Sequence, residues 1–164
     1  AMGTLLNLEA TPEELLFPNN TTLFLNLHAG VGGADSSPSE AWRQMSDFGR
    51  NNWLATRIMG WHSDRKRVPG AEFVYWFDGL KPLMLIHEWQ PCMVVDHALA
   101  VACKLRNKGA FVTLVMRPES SISKAKFSCE IDDPVLQGYD YVIGDDLADV
   151  IVRCVWLVYG QEDE

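Results

Sequence analysis

Val95-Asp96-His97-Ala98-Leu99-Ala100-Val101-Ala102-Cys103-Lys104-Leu105-Arg106-Asn107-Lys108-Gly109 runs directly into Ala110-Phe111-Val112-Thr113-Leu114-Val115-Met116. Val95, Ala98, Leu99, Ala102 and Leu105 recur at helical spacing, whereas Phe111, Val112, Leu114 and Val115 form a short apolar strand. Asn107-Lys108-Gly109 closes the helix, with glycine where a left-handed backbone is needed. Downstream, Arg117–Ala125 reads as a polar hairpin loop and Lys126–Ile131 as the returning strand, with Phe127, Cys129 and Ile131 alternating. Tyr139–Ile143 supplies a third strand. Gly144-Asp145-Asp146 opens a last helix with acids at its positive end, and Leu147, Val150, Ile151, Cys154, Val155 and Val158 make one stripe. Helix, three strands and helix in this order predict an α+β unit: a mostly antiparallel sheet covered by helices.

Upstream, Thr11-Pro12-Glu13-Glu14 is a capped helix start, and Thr21–His28 reads as a strand. A glycine-rich loop follows, then a helical pattern from Ser39 to about Ile58 that Gly49 weakens. Residues 62–70, with Arg65, Lys66 and Arg67, read as a basic loop. Glu72–Phe77 is a strong strand, and Leu83–Ile86 a further strand or core-crossing segment. Ala1-Met2-Gly3 reads as a cloning scar. The expected division is an N-terminal α/β segment over 4–60 and a sandwich-like part over 61–164, in one compact unit.

The chain has 164 residues, 48% hydrophobic and 22% charged, which excludes wholesale disorder. Its net charge is −8. Residues 130–164 hold ten acids and one base, so that segment carries −9 and the remainder +1. Binding nucleic acid directly by phosphate neutralisation is not expected. An acidic face toward a basic partner is: Asp132, Asp133, Asp140, Asp145, Asp146 and Asp149 are its candidates, and Asp145-Asp146 and Asp132-Asp133 equally suit cap and turn positions. Of six tryptophans, Trp53 and Trp89 have polar neighbours and are expected to be partly exposed anchors. Cys92, Cys103, Cys129 and Cys154 lack metal-knuckle spacing and read as small core residues. No metal or other cofactor is indicated. No apolar run is long enough to span a membrane, and no secretion signal is evident.

The motifs bring a family into view. Ile58-Met59-Gly60-Trp61 and the pattern from Asp96 to Tyr159 resemble small tailed-phage and prophage proteins of unknown function that share a C-terminal αβα-sandwich domain. The likeness covers about residues 54–160. Val150-Ile151-Val152-Arg153-Cys154 departs from the Cys-Arg order usual in their final helix. The resemblance implies the fold and a cytoplasmic location in an infected or lysogenic bacterial host, and carries over no catalytic residue. Residues 25–45 are also similar to the accessory domain of peptide-chain release factors, but the catalytic Gly-Gly-Gln tripeptide is absent.

Three functional readings follow. The first is a non-enzymatic accessory protein that binds and inhibits or redirects a host protein with a basic surface, with a defence role and a homodimer both compatible. The second is a small-molecule or nucleotide-binding protein using Gly30, Gly32 and Gly33, whose backbone N–H groups suit a phosphate. The third is a hydrolase, for which only His62 with Asp64 offers an acid–base pair, and no nucleophile motif supports it.

Overall fold

The computed structural model describes residues 40–118 and 126–160. Helices α1 (Glu40–Gln44) and α2 (Asp47–Trp53) lead into a π-helical turn over Leu54–Met59. A first sheet follows: β1 (His62–Val68), β2 (Ala71–Asp78) and β3 (Lys81–Leu85), antiparallel in that order. A 3₁₀ turn at Ile86–Glu88 precedes α3 (Val95–Asn107). The second sheet is β4 (Phe111–Met116), β5 (Phe127–Asp133) and β6 (Gly138–Gly144), again antiparallel in chain order, and α4 (Leu147–Tyr159) ends the described chain. The α+β class holds, with two three-stranded sheets rather than one.

Gly109 takes the expected left-handed conformation (φ +105°). Its N–H bonds the Arg106 carbonyl at 3.0 Å and the Ala110 N–H bonds that of Leu105 at 3.1 Å, the double closure that delivers the chain from α3 into β4. The buried stripe of α3 is Ala98, Val101, Ala102 and Leu105. Leu99 is only half-buried and Val95 is exposed, so the helix is rotated toward Val101 relative to the expected stripe.

α4 is buried on two faces where the sequence predicts one stripe. Cys154 Sγ contacts the Cys129 and Asp140 carbonyls at 3.4 Å on the sheet side. Trp156 meets Trp42 and Trp53, with ring centroids 5.0 and 4.8 Å away. Val152, off the predicted stripe, is therefore only 1% exposed, contributing on the order of 1.5–3 kcal/mol of hydrophobic free energy. Trp42, Leu54 and Ile58 join this same core, so packing crosses the expected segment boundary at 60.

The N-terminal helical pattern breaks at Ser46, not at Gly49. Ser46 Oγ accepts the Gly49 N–H at 3.1 Å and starts a new helix. A side chain at 49 would drive into Met45 Cγ at 2.7 Å. Arg50 bridges the break by donating to the Trp42 carbonyl from Nε and Nη2, at 3.1 and 2.9 Å.

Residues 62–70 are a strand and its turn, not a loop. All seven β1 residues are exposed. β1 pairs in register with β2, from His62 opposite Phe77 to Val68 opposite Ala71. Trp76 is 3% exposed and roots this hairpin in the core.

The segment before α3 is fixed by Trp89, 2% exposed. His97 stacks on it, centroids 5.1 Å apart, and accepts the Gln90 N–H on Nδ1 at 3.0 Å. Burial lowers the His97 pKa, against the opposing pull of Asp96. The folded state thus binds this proton less tightly than the unfolded chain. Stability is expected to be full above about pH 6.5 and to fall as the pH drops from there through the lower folded value. His97→Gln should flatten that slope in thermal unfolding followed between about pH 7.5 and 5.

Candidate acidic–aromatic interface

Register decides which acidic residues share a surface. Along β5, Cys129 and Ile131 point to the helices and are fully buried. Ser128, Glu130 and Asp132 therefore point to the opposite face. Phe111 and Tyr139 are the two cross-strand partners of Asp132, and Thr113 and Tyr141 those of Glu130. This places a carboxylate between two aromatic rings at the open end of the sheet, and all three residues are exposed: Phe111 by 67% and Tyr139 by 61%, with Asp132 between them. Directly opposed side chains have Cβ atoms about 5 Å apart, close enough to act on one ligand group. Val135, 79% exposed, and Leu136 add apolar surface at the adjoining turn. Partial burial, then the charge and hydrogen bond of Glu130, raise the Tyr139 hydroxyl pKa. Deeper on this face Ser128 is 1% exposed, and Arg117 donates to the Tyr141 hydroxyl.

The other aspartates lie elsewhere. Asp133 is buried: Oδ1 accepts the Val135 and Leu136 N–H groups at 2.9 and 3.1 Å, and Oδ2 accepts the Tyr159 hydroxyl at 2.6 Å. It builds the β5–β6 turn and is withdrawn from any partner. Asp140 is half-buried on the helix side of β6 and accepts its neighbour's N–H at 2.9 Å. Asp146 caps α4 by accepting the Asp149 N–H at 2.9 Å, and Asp149 pairs with Arg153 at 2.8 Å. Asp145 is exposed beside them. From Tyr139 to Asp145 the chain traverses most of β6, about 20 Å of extended strand. The six residues therefore do not make one surface: Asp133 and Asp140 lie on the helix side of the sheet, Asp145, Asp146 and Asp149 gather at the start of α4, and only Asp132 has exposed aromatic neighbours across the strands.

Trp89 is not an exposed anchor. Its Nε1 donates to the Asn51 carbonyl at 3.1 Å, and its ring meets Trp61 edge-on at 4.6 Å. Trp53 is half-buried against Trp156. Gly30, Gly32 and Gly33 lie outside the described residues. His62 and Asp64 share one exposed face of β1, where His62 stacks on Phe77. Burial pushes the Cys92 thiol up to about 12 and raises Cys129 through its contact with Cys154 and burial, which suits inert core positions. Among the described residues, no group of three His, Cys, Asp or Glu side chains could hold a metal ion, and no helix is long and apolar enough to cross a membrane.

Phe111, Glu130, Tyr139, Val135 and Leu136 are not among the site candidates that the sequence offers: Phe111 and Tyr139 read there only as strand residues and Glu130 only as part of the acidic segment. Each is unremarkable in its own segment, and only strand pairing gathers them around Asp132.

No protein-family model matches the chain, and no curated protein matches it. Among solved structures, it is similar to a phage protein from Bacillus cereus at 15% sequence identity. The match covers 75% of this chain and 98% of that one, with a TM-score of 0.45.

Proposed function

We propose that this is a non-enzymatic phage or prophage accessory protein that binds a host protein with a basic surface and inhibits or redirects it. The row Phe111–Asp132–Tyr139 carries the reading. A carboxylate set between two exposed rings suits a Lys or Arg side chain, which gains ion pairing and ring-face attraction together. Val135 and Leu136 supply the apolar surround that lets such a contact exclude water. The net charge of −8 attracts a basic partner at long range, and Asp145 and Asp149, about 20 Å from the row, add to that attraction without being part of the contact.

The test is capture of the partner from a bacterial lysate, followed by titration of the purified pair. The Phe111→Ala, Asp132→Asn, Tyr139→Ala variant should bind at least tenfold more weakly, about 1.4 kcal/mol, with its thermal unfolding unchanged. Asp145→Asn with Asp149→Asn, at the α4 end, should alter the association rate and its salt dependence more than the affinity. Unchanged affinity in the first variant with a large loss in the second would move the interface to α4 and overturn the assignment.

A further inference from the structure

The chain also presents the chemical counterpart of its own acidic–aromatic row. Arg65, Lys66 and Arg67 stand together on β1, and every residue of that strand is exposed. β1 is an edge strand, since the sheet order is β1-β2-β3. Glu72 is the carboxylate that faces this cluster, with Arg65 Nη1 at 3.2 Å and Arg67 Nε at 3.6 Å. Asp64 Oδ1 is occupied by the Arg65 N–H at 2.7 Å. Residues 65–72 therefore hold three bases against one acid. Alternation puts Lys66 on the opposite face from the two arginines, beside its cross-strand partner Phe73. Phe73 and Val68 are each 41% exposed on that face. The hairpin thus offers a cation with apolar neighbours, and the far sheet offers a carboxylate with apolar neighbours.

We infer that the occupant of the Phe111–Asp132–Tyr139 row includes a second copy of this chain, whose Arg65–Arg67 hairpin docks there head to tail. This rests on the proposed reading of the row as a binding surface for basic protein side chains. Two different patches meet in such a contact, so a pair of copies keeps one free hairpin, on one copy, and one free row, on the other. The association therefore continues into a ring or an open chain rather than stopping at a two-fold dimer. The uneven charge of the chain favours this polarity: residues 130–164 carry −9 and the remainder, which includes the hairpin, +1.

Two charge-reversal variants test it by sedimentation velocity, alone and mixed: R65E/K66E/R67E in the hairpin, and E130K/D132K in the row. The wild type should show a mass that rises with concentration up to about 100 µM, a range that detects weak contacts. Each variant alone should remain at the monomer mass of 18.4 kDa. An equimolar mixture should regain association, because the intact row of one meets the intact hairpin of the other. Circular dichroism and thermal unfolding check that both variants fold. A wild type that stays monomeric, or variants that associate as it does, overturns the inference. A titration of a Lys/Arg-rich peptide onto the same proteins separates this failure from that of the underlying reading. Peptide binding by a monomeric wild type, lost in E130K/D132K, leaves the row as a binding surface and removes only the second copy. Peptide binding retained in E130K/D132K removes the row as well.

Discussion

Trp89→Ala should lower the free energy of unfolding by about 3–5 kcal/mol, a large part of the stability of a domain of this size. The side chain is 2% exposed and sits where three segments meet. Its ring contacts Trp61 and His97, and its N–H donates to the Asn51 carbonyl across 38 positions of sequence. Truncation leaves a cavity between α2, the segment after the π-helical turn and the start of α3, and takes from the Asn51 carbonyl one of its donors, the Leu54 N–H remaining. Nearby, the Cys92 N–H bonds Asn51 Oδ1 at 3.3 Å, so the loss spreads along the connection into α3. Trp89→Phe keeps most of the apolar contact and removes only the hydrogen bond, and about 1–2 kcal/mol is expected. Urea denaturation of the two variants measures both quantities. A loss below about 1 kcal/mol for Trp89→Ala would mean that the ring is not part of the core.

Asp133→Ala should destabilise by about 2–3 kcal/mol, since a charged acceptor of three hydrogen bonds is removed at once. Two of those bonds shape the turn between β5 and β6, and the third ties the end of α4 to the sheet through Tyr159. Tyr159→Phe removes the third alone, and about 1 kcal/mol is expected. Burial by itself would raise the Asp133 pKa, but the bonds from Tyr159, Leu136 and Val135 outweigh it and hold the carboxyl below its ordinary value. Burial and the facing Asp133 raise the pKa of Tyr159. The sign follows: Asp133 contributes fully above the ordinary carboxylate range near pH 4 and loses its contribution as the pH falls through the lower folded value. Acid unfolding should therefore begin at higher pH in a background where Tyr159→Phe has weakened this hold. A Tyr159→Phe protein whose acid transition matches the wild type would show that the bond is not made in solution. Because Asp133 fixes the turn carrying Val135 and Leu136, weaker partner binding in its variants would report distortion of the interface, not loss of a contact.

The helices and strands from 95 to 159 were legible because each carries its own local signal. The α3 stripe points to a helix within about four turns, Gly109 answers a backbone requirement of its own position, and Asp146 caps the helix that begins beside it. These are short-range effects, in which the residue and the group it satisfies lie within a few positions of each other. The strand at 62–68 is not legible in the sequence, because Ser63-Asp64-Arg65-Lys66-Arg67 has no apolar alternation. Its conformation comes from pairing with the aromatic β2, and an exposed edge strand needs no buried face.

The candidate interface was only partly legible, for a related reason. Acidity of the last 35 residues is a compositional fact, and it marks Asp132 as a candidate. Composition does not distinguish Asp132 from Asp133, although one faces solvent and the other is sealed under Tyr159. That difference is the two-residue alternation of a strand combined with the placement of α4 on one side of the sheet. Phe111 and Tyr139 lie 21 positions before and 7 after Asp132, and only the register of β4, β5 and β6 makes them neighbours. Trp89 shows the same limit in reverse: polar neighbours in sequence suggested exposure, but burial is set by Asn51, Trp61 and His97, which arrive from other segments. By itself the sequence determined where helices start and stop, the apolar character of the last helix and the charge asymmetry, all properties of contiguous residues. Tertiary structure alone decided which carboxylate stands between two rings and which is buried, because strand register and the covered side of a sheet are relations between distant segments.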